Sequence, residues 1–387
     1  MRILVCHNRY QLRGGEDSVC ESEIELLREH GHDVQIFERS NADLNGVSKI
    51  SAALETIWSR DSSKAFRAAL DAFKPEVIHV HNTFAKISPA VYWEAAEAGI
   101  PVVQTLHNFR LMCPQAMFLR DGKVCEDCLG KLPWRGAVRA CYRDSVAQST
   151  VLASMVTTHR AIGTWRNKVT RYIALNEFCR RKFIEGGLPA DRIVIKPNFV
   201  DFDAPPEGER EGFIFVGRLS TEKGIETLAA AARRVNGISL RVAGTGPEAG
   251  LLDGVPGIQA LGALTGDAVR QRMSSSVALV LPSIWYENFP RTLVEAMACG
   301  LPIIASRIGA LADLVEEGVS GLLFEPGNAV DLAAKLVWAR DNPEAIRAMG
   351  VRARAIYEAK FTARTNYAQL MEIYEDAMDQ ARKDRLQ

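Results

Sequence analysis

Glu287 and Glu295 are separated by seven residues in the stretch Glu287-Asn288-Phe289-Pro290-Arg291-Thr292-Leu293-Val294-Glu295, which continues as Ala296-Met297-Ala298-Cys299-Gly300-Leu301-Pro302. A strand ending at Leu281 and a helix beginning within this stretch place Glu287 in the connecting loop and Glu295 about two turns along the helix. Leu293, Ala296, Met297 and Gly300 then face the sheet. Two carboxylates so placed accept hydrogen bonds from ligand hydroxyls that span the helix N-terminus. A solvated glutamate and a capping glutamate would share this spacing, so the neighbouring loops decide between the readings. In Val216-Gly217-Arg218-Leu219-Ser220-Thr221-Glu222-Lys223-Gly224, Arg218 offers a planar fork for phosphate oxygens and Lys223 a point charge five residues later. Charge-assisted hydrogen bonds from two such cations to a diphosphate are worth about 1.5–3 kcal/mol each. Ala243-Gly244-Thr245-Gly246-Pro247-Glu248 supplies a strand end, a turn and a helix start, where backbone can approach a flat or anionic group. One Gly-x-Gly is weak evidence. Three loops of this kind, each at the carboxyl end of a strand, describe one phosphate- and hydroxyl-binding surface.

Two other features carry chemistry. Cys113, Cys125, Cys128 and Cys141 follow the pattern Cys-x11-Cys-x2-Cys-x12-Cys. Four thiolates about 2.3 Å from a central ion would make a structural zinc site, and four reduced thiols in an irregular insertion are the alternative. Between Lys131 and Lys182 there are 11 Lys or Arg against Asp144 and Glu177, with Trp134 and Trp165 among them. A basic stretch dotted with aromatics can rest on anionic lipid headgroups or grip a lipid-linked diphosphate, or it can be a solvated face.

These residues need a scaffold, and the periodicity supplies one. Short β-branched runs alternate with amphipathic stretches, first at 77–80, 101–103, 172–175 and 192–195, then at 213–216, 240–243, 277–281 and 301–305. Helical spacing fills the gaps, as from Val19 to Glu29 and from Glu222 to Val235. Repeated strand-helix alternation predicts two doubly wound α/β domains with parallel sheets covered on both faces. The expected boundaries are a domain over 1–200 with a Cys-rich insertion at 113–141, a linker over 201–211 rich in Pro and Gly, and a domain over 212–360. Ligands of such sheets sit beyond the carboxyl ends of the strands, so a cleft between the domains is the expected site. Residues 361–387 read as one amphipathic helix with Tyr367, Leu370, Met371, Ile373, Tyr374 and Ala377 on its apolar side.

A chain of 387 residues exceeds the roughly 250–300 residues at which single cores stop growing. Apolar residues at 47% and charged residues at 24% exclude a disordered or fibrous chain. Lys plus Arg and Asp plus Glu are both 47, so no global field points to nucleic acid. All seven histidines fall in the first half, which implies different work for the two halves. The start reads as a strand rather than a signal peptide, no apolar run reaches the roughly 18–20 residues of a membrane span, and a cytoplasmic location is expected.

Gly217-Arg218-Leu219, Lys223-Gly224, Gly244-Thr245-Gly246-Pro247-Glu248 and the Glu287–Glu295 pair together resemble the donor domain of family 4 glycosyltransferases (glycosyl transferases group 1). The resemblance implies the GT-B fold, two Rossmann-like domains facing a cleft. It also implies retaining transfer from a nucleotide-sugar without a catalytic metal or other cofactor. Arg218 and Lys223 would then hold the diphosphate, Glu287 the hydroxyls of the transferred sugar and Glu295 the ribose. Gly217, Gly244, Thr245, Gly246, Asn288, Phe289, Arg291 and Thr292 would bind the rest of the donor. Phe289 is followed by Pro290, which has no backbone N–H, so a hydrogen bond to the sugar made there in many members is lost or moved. The first half resembles the acceptor domain. Gly14-Gly15-Glu16 is similar to a glycine pair that lets backbone reach donor phosphate or acceptor, and Asp33-Val34 opens the second strand. His107, at the end of the strand from Pro101, matches a histidine facing the transferred sugar, with His79 and His81 at the neighbouring strand end as secondary candidates. Lys196-Pro197-Asn198-Phe199-Val200-Asp201 resembles the segment that closes this domain, and the last helix is expected to pack back on it.

The reaction so implied moves sugar from a UDP- or GDP-sugar to a hydroxyl of a lipid-linked saccharide in cell-surface polysaccharide biosynthesis, at the inner face of the membrane. A soluble acceptor, a nucleotide-sugar epimerase on the same scaffold and a non-catalytic sugar-nucleotide-binding module are the alternatives.

Overall fold

The computed structural model describes residues 1–11, 14–44, 48–201 and 208–386. Most of the expected linker, 202–207, lies outside the described residues. The chain divides into two compact units, one formed by 1–118, 126–196 and 366–387, the other by 119–125 and 197–365.

Unit 1 is built on β1 (Arg2–Arg9), β2 (Asp33–Ser40), β3 (Val77–Asn82) and β4 (Val102–Thr105). A short antiparallel hairpin, β5 (Leu119–Arg120) and β6 (Lys123–Val124), stands apart from this sheet. β7 (Arg171–Ala174) and β8 (Ile193–Ile195) complete the unit 1 sheet, whose order is β2-β1-β3-β4-β7-β8 and whose pairings are all parallel. β3 and β4 are buried along their whole length because helices cover both faces. The helix Gly15–Glu29 packs Val19, Cys20, Ile24 and Leu27 toward the sheet, following the apolar stripe in its sequence. From Asn366 onward the last helix, Ala363–Leu386, belongs to this unit, and its Leu370, Tyr374 and Ala377 are fully buried beside Ile3, Val103 and Ile173.

Unit 2 repeats the plan with β9 (Phe213–Val216), β10 (Leu240–Ala243), β11 (Ile258–Gly262), β12 (Ala278–Leu281), β13 (Ile303–Ser306) and β14 (Gly321–Phe324). Their order is β11-β10-β9-β12-β13-β14, again all parallel. Ile225, Leu228, Leu332 and Leu336 cover the sheet on helices and are completely buried. In each sheet the winding direction reverses once, between β1 and β3 and between β9 and β12. Connections to the two neighbouring strands leave in opposite directions there, so a crevice opens beyond their carboxyl ends.

Candidate functional site

The reversal in unit 2 brings together the loops after β9 and β12. Lys223 ends a short 3-10 turn, and Gly224 follows it at φ +72°, where a Cβ would lie 1.9 Å from the Pro282 carbonyl oxygen. The Ile284 N–H donates to the Glu222 carbonyl at 3.0 Å, locking one loop to the other. This sets Lys223 Nζ 2.6 Å from Glu287 Oε1, and Ser283 Oγ donates to the same oxygen at 2.7 Å. Glu287 is only 5% exposed. Its Oε2 takes no hydrogen bond among the described residues. The Lys223 ammonium also lies 5.5 Å from the centre of the Trp285 ring. Arg218 is exposed, and its side chain has no partner among the described residues. The sequence reading gave Arg218 and Lys223 the diphosphate together and Glu287 the sugar hydroxyls, whereas the structure couples Lys223 to Glu287 and leaves the Arg218 side chain apart.

The glycines of the third loop serve the chain itself. A Cβ on Gly244 would meet the Gly217 carbonyl oxygen at 1.8 Å, and one on Gly246 would meet that of Leu219 at 2.2 Å. Hydrogen bonds from Gly217 N–H to the Ala243 carbonyl (3.0 Å) and from Leu219 N–H to the Thr245 carbonyl (2.9 Å) hold the two loops at this separation. Thr245 is exposed at the tip.

Pro290 caps the helix Arg291–Ala298 with φ −70°, the value its ring imposes. Glu295 is the fifth residue of that helix, little more than one turn along rather than two. Its Oε1 lies 3.1 Å from Arg291 Nε; burial raises its pKa, and Arg291 opposes the rise. The leading N–H groups of Arg291 and Thr292 have no acceptor within the helix. Leu293, Ala296 and Met297 are buried as expected, but Gly300 lies past the helix end at φ +59° and terminates it instead of facing the sheet. Asn288 and Phe289 are buried, with the Phe289 ring packed edge-on against Phe361.

Unit 1 gathers a second constellation at its own reversal. His7 comes from β1, His79 and His81 from β3, and His107 follows β4. Asp17 Oδ1 lies 2.7 Å from His7 Nε2, while its Oδ2 accepts the Gly14 N–H at 2.8 Å. His79 is bonded on both ring nitrogens, to the Tyr374 hydroxyl at 2.7 Å and to Thr105 Oγ1 at 2.8 Å. His81 Nδ1 is 3.0 Å from His107 Nε2, the two rings being stacked with centroids 5.2 Å apart. Buried Glu23 forms an ion pair with buried Lys196 and turns its other oxygen toward His81 at 3.4 Å and His79 at 3.8 Å. Burial alone would raise the Glu23 pKa, but Lys196 and His81 bring it below its ordinary value. Burial drives His79 and His81 well below the usual imidazole range and His107 down to about 3. Nearby, Glu16 Oε2 accepts from Tyr10 at 3.2 Å and Asn108 at 3.3 Å, and burial pushes its carboxyl up to about 8.

Gly14 and Gly15 differ from the unit 2 glycines. Gly14 is extended (φ −120°), and a Cβ on Gly15 would meet nothing within 4 Å.

Cys113, Cys125, Cys128 and Cys141 are all free of disulfides. Among the described residues the one group of three or more ligand-type side chains within reach of a common ion is Glu23, His79 and His81. Cys113, Cys128 and Cys141 belong to unit 1 and Cys125 to unit 2. In the basic stretch the two tryptophans differ in exposure. Trp165 is 3% exposed and belongs to the core, while Trp134 is 58% exposed. Several cations are engaged locally, Arg135 and Arg139 with Asp127, Arg171 with Asp376 and Lys182 with Glu126.

Sequence reasoning missed Glu23, Lys196 and Tyr374 as partners of the histidines. One signal was present: Glu23 stands inside the apolar stripe Val19-Cys20-Glu23-Ile24-Leu27, where a carboxylate needs a buried partner. The last helix, read as amphipathic with Tyr374 on its apolar side, contributes a hydroxyl to the cluster through that residue.

The profile of the family described as Glycosyltransferase Family 4 matches residues 13–204, and that described as Glycosyl transferases group 1 matches residues 210–342. A GDP-mannose-dependent alpha-mannosyltransferase of Corynebacterium glutamicum is 40% identical over 121 residues, 31% of this chain and 29% of that protein. A phosphatidyl-myo-inositol mannosyltransferase of Mycobacterium leprae is 27% identical over 257 residues, 62% of this chain and 67% of that one. Matches to other curated relatives span from 26% to 84% of those proteins' own length. The crystal structure of Anabaena HepE in complex with UDP shares the fold at a TM-score of 0.68 and 18% identity, covering 96% of this chain and 99% of that one. Matched by family profiles in both halves and by fold along nearly its whole length, the chain belongs to the family 4, group 1 glycosyltransferases of the GT-B fold.

Proposed function

We propose that the protein transfers a sugar from a UDP- or GDP-sugar to a hydroxyl of a lipid-linked saccharide in cell-surface polysaccharide assembly, with retention of configuration and without a catalytic metal. The reading is carried by the bonded trio Ser283, Glu287 and Lys223 at the β9–β12 reversal, with exposed Arg218 on the adjoining loop. Arg218 grips the diphosphate as a fork, and Lys223 shares its ammonium between Glu287 and phosphate. Glu287 Oε2 accepts a hydroxyl of the transferred sugar. Glu295 accepts the ribose hydroxyls beside the leading N–H groups of Arg291 and Thr292. Gly14 and Gly15 leave room for donor phosphate or acceptor, and His107 faces the transferred sugar.

In the reaction, the bond between the anomeric carbon and the diphosphate oxygen breaks as the acceptor oxygen bonds to that carbon on the same face. The acceptor proton passes to the departing phosphate oxygen. Arg218 and Lys223 stabilise the charge that develops there, a contribution of about 10²–10³-fold in rate for one well-placed group.

A GDP-sugar is supported by the name of the Corynebacterium relative, a UDP-sugar by the ligand of the Anabaena structure and a lipid acceptor by the name of the Mycobacterium leprae relative. Contact with a membrane surface, placed on the cytoplasmic side in this reading, is supported by exposed Leu132, Trp134, Val138 and Val146 amid the basic stretch. Exposed Ile50 and Leu54 lie on the helix Lys49–Ile57, which packs beside the helix Val146–Ala161. No helix among the described residues is long and apolar enough to cross a membrane. Thermal-shift titration with UDP, GDP and a panel of their sugars in the presence of a chelator tests the reading. One nucleotide is expected to stabilise the protein, and one of its sugars to do so further; no shift with any of them overturns the reading.

A further inference from the structure

Glu23 Oε2 and His81 Nε2 face each other at 3.4 Å within unit 1, and neither atom makes a hydrogen bond to any described residue. Both side chains are buried, so a proton between the two atoms is the direct way to satisfy them. Glu23 is tied through Oε1 to the Lys196 ammonium, and an ionised carboxylate only accepts. The proton therefore lies on His81 Nε2. A neutral imidazole has one N–H, which makes His81 Nδ1 an acceptor. The atom 3.0 Å from it is His107 Nε2, which must carry a proton. The second nitrogen of His107, Nδ1, is left with a bare lone pair on a partly exposed ring, and no described residue bonds to it.

We propose that Glu23 and His81 are positioning residues that dictate the tautomer of His107, so that it presents Nδ1 as a hydrogen-bond acceptor to a ligand hydroxyl. The chain of contacts runs from Lys196 through Glu23 and His81 to His107, over one helix, one strand and two strand-end loops. The depressed pKa values of His81 and His107 accord with neutral rings throughout. The same residues do not offer a cation site. Glu23 is already neutralised by Lys196, and both nitrogens of His79 are engaged by Tyr374 and Thr105. An acceptor-only His107 selects for a ligand group with a proton to give, and against a methoxy or deoxy carbon at that place. The identity of that group as a hydroxyl of the transferred sugar rests on the function proposed above; the tautomer does not.

Histidine side-chain ¹⁵N–¹H correlation spectra of the full chain at neutral pH test this directly, with His107 assigned by its loss in His107→Gln. The wild-type protein is expected to show His107 protonated on Nε2 and bare on Nδ1. A proton resident on Nδ1 overturns the proposal, whether or not any variant folds. In His81→Phe, which keeps a stacking ring, and in the charge-balanced pair Glu23→Leu/Lys196→Met, His107 is expected to populate both tautomers. Transfer with the UDP- and GDP-sugar panel then falls by roughly tenfold in kcat/KM, the loss of about one hydrogen bond. An unchanged single tautomer in these folded variants overturns the proposal. A wild-type protein that transfers from no sugar in the panel but shows the expected tautomer refutes the function and leaves the positioning intact.

Discussion

Lys223 Nζ and Glu287 Oε1 are 2.6 Å apart across the loops that follow β9 and β12. This contact makes the cation structural before any ligand arrives. Removing Lys223 leaves a buried carboxylate with Ser283 as its remaining hydrogen-bond partner. Lys223→Ala is therefore expected to lower stability by about 1–3 kcal/mol and turnover by about 10²–10³-fold. Urea denaturation alongside steady-state kinetics checks both, and unchanged stability would show that the pair is not coupled as drawn.

Arg218 gives the contrasting result. It is exposed and its side chain has no partner among the described residues, so Arg218→Ala should leave stability within about 0.5 kcal/mol of wild type. Its expected effect is a drop of about 10²–10³-fold in turnover, with weaker nucleoside diphosphate binding in calorimetry. A stable variant with near-normal rates removes Arg218 from the diphosphate site.

The glycines separate in the same way. Gly246→Ala drives a Cβ into the Leu219 carbonyl at 2.2 Å, where backbone must move, and is expected to cost more than about 2 kcal/mol. Gly15→Ala meets nothing within 4 Å at the start of a helix, where alanine is favoured by up to about 1 kcal/mol. The second variant should melt no lower than wild type yet show a raised KM for donor or acceptor if ligand occupies that space. Equal melting temperatures in the two variants would contradict the packing described.

Acid should unfold this protein from near pH 6.5 downward. His79, His81 and His107 are held neutral by burial in the folded state, whereas the unfolded chain takes up protons below about 6.5. Their stabilisation is present above that pH and is lost as pH falls, at up to about 1.4 kcal/mol per pH unit for each ring. Glu16 acts in the opposite sense. Raised by burial to about 8, it holds a proton that the unfolded chain releases above its ordinary 4.5, so its contribution is lost as pH rises through 8. Three rings outweigh one carboxyl below 6.5, and a stability maximum near neutrality is expected. Denaturation midpoints that stay level or rise between about pH 6.5 and 5 would show that these rings are not held neutral.

The doubly wound architecture was legible because buried parallel strands leave short β-branched runs, as at 213–216 and 77–80, that local sequence alone reveals. Arg218 and Lys223 stand in one motif after a strand and Glu287 and Glu295 in another, so both motifs could be picked out locally. Their pairing could not. Whether Lys223 meets Glu287 or a ligand depends on how two loops 60 residues apart dock, and that is fixed by Gly224 against Pro282. The Glu23–Lys196 pair joins residues 173 positions apart, which no local period encodes.

The most direct test of the central claim follows the product. The protein would be incubated with the UDP- and GDP-sugar panel and a lipid extract, and anomeric coupling constants of the new glycoside read by NMR. Release of one nucleoside diphosphate that requires the lipid fraction, with the product keeping the configuration of the donor, is the predicted result. An inverted product would contradict the same-face mechanism, and no release with any sugar and extract would contradict the transferase reading itself.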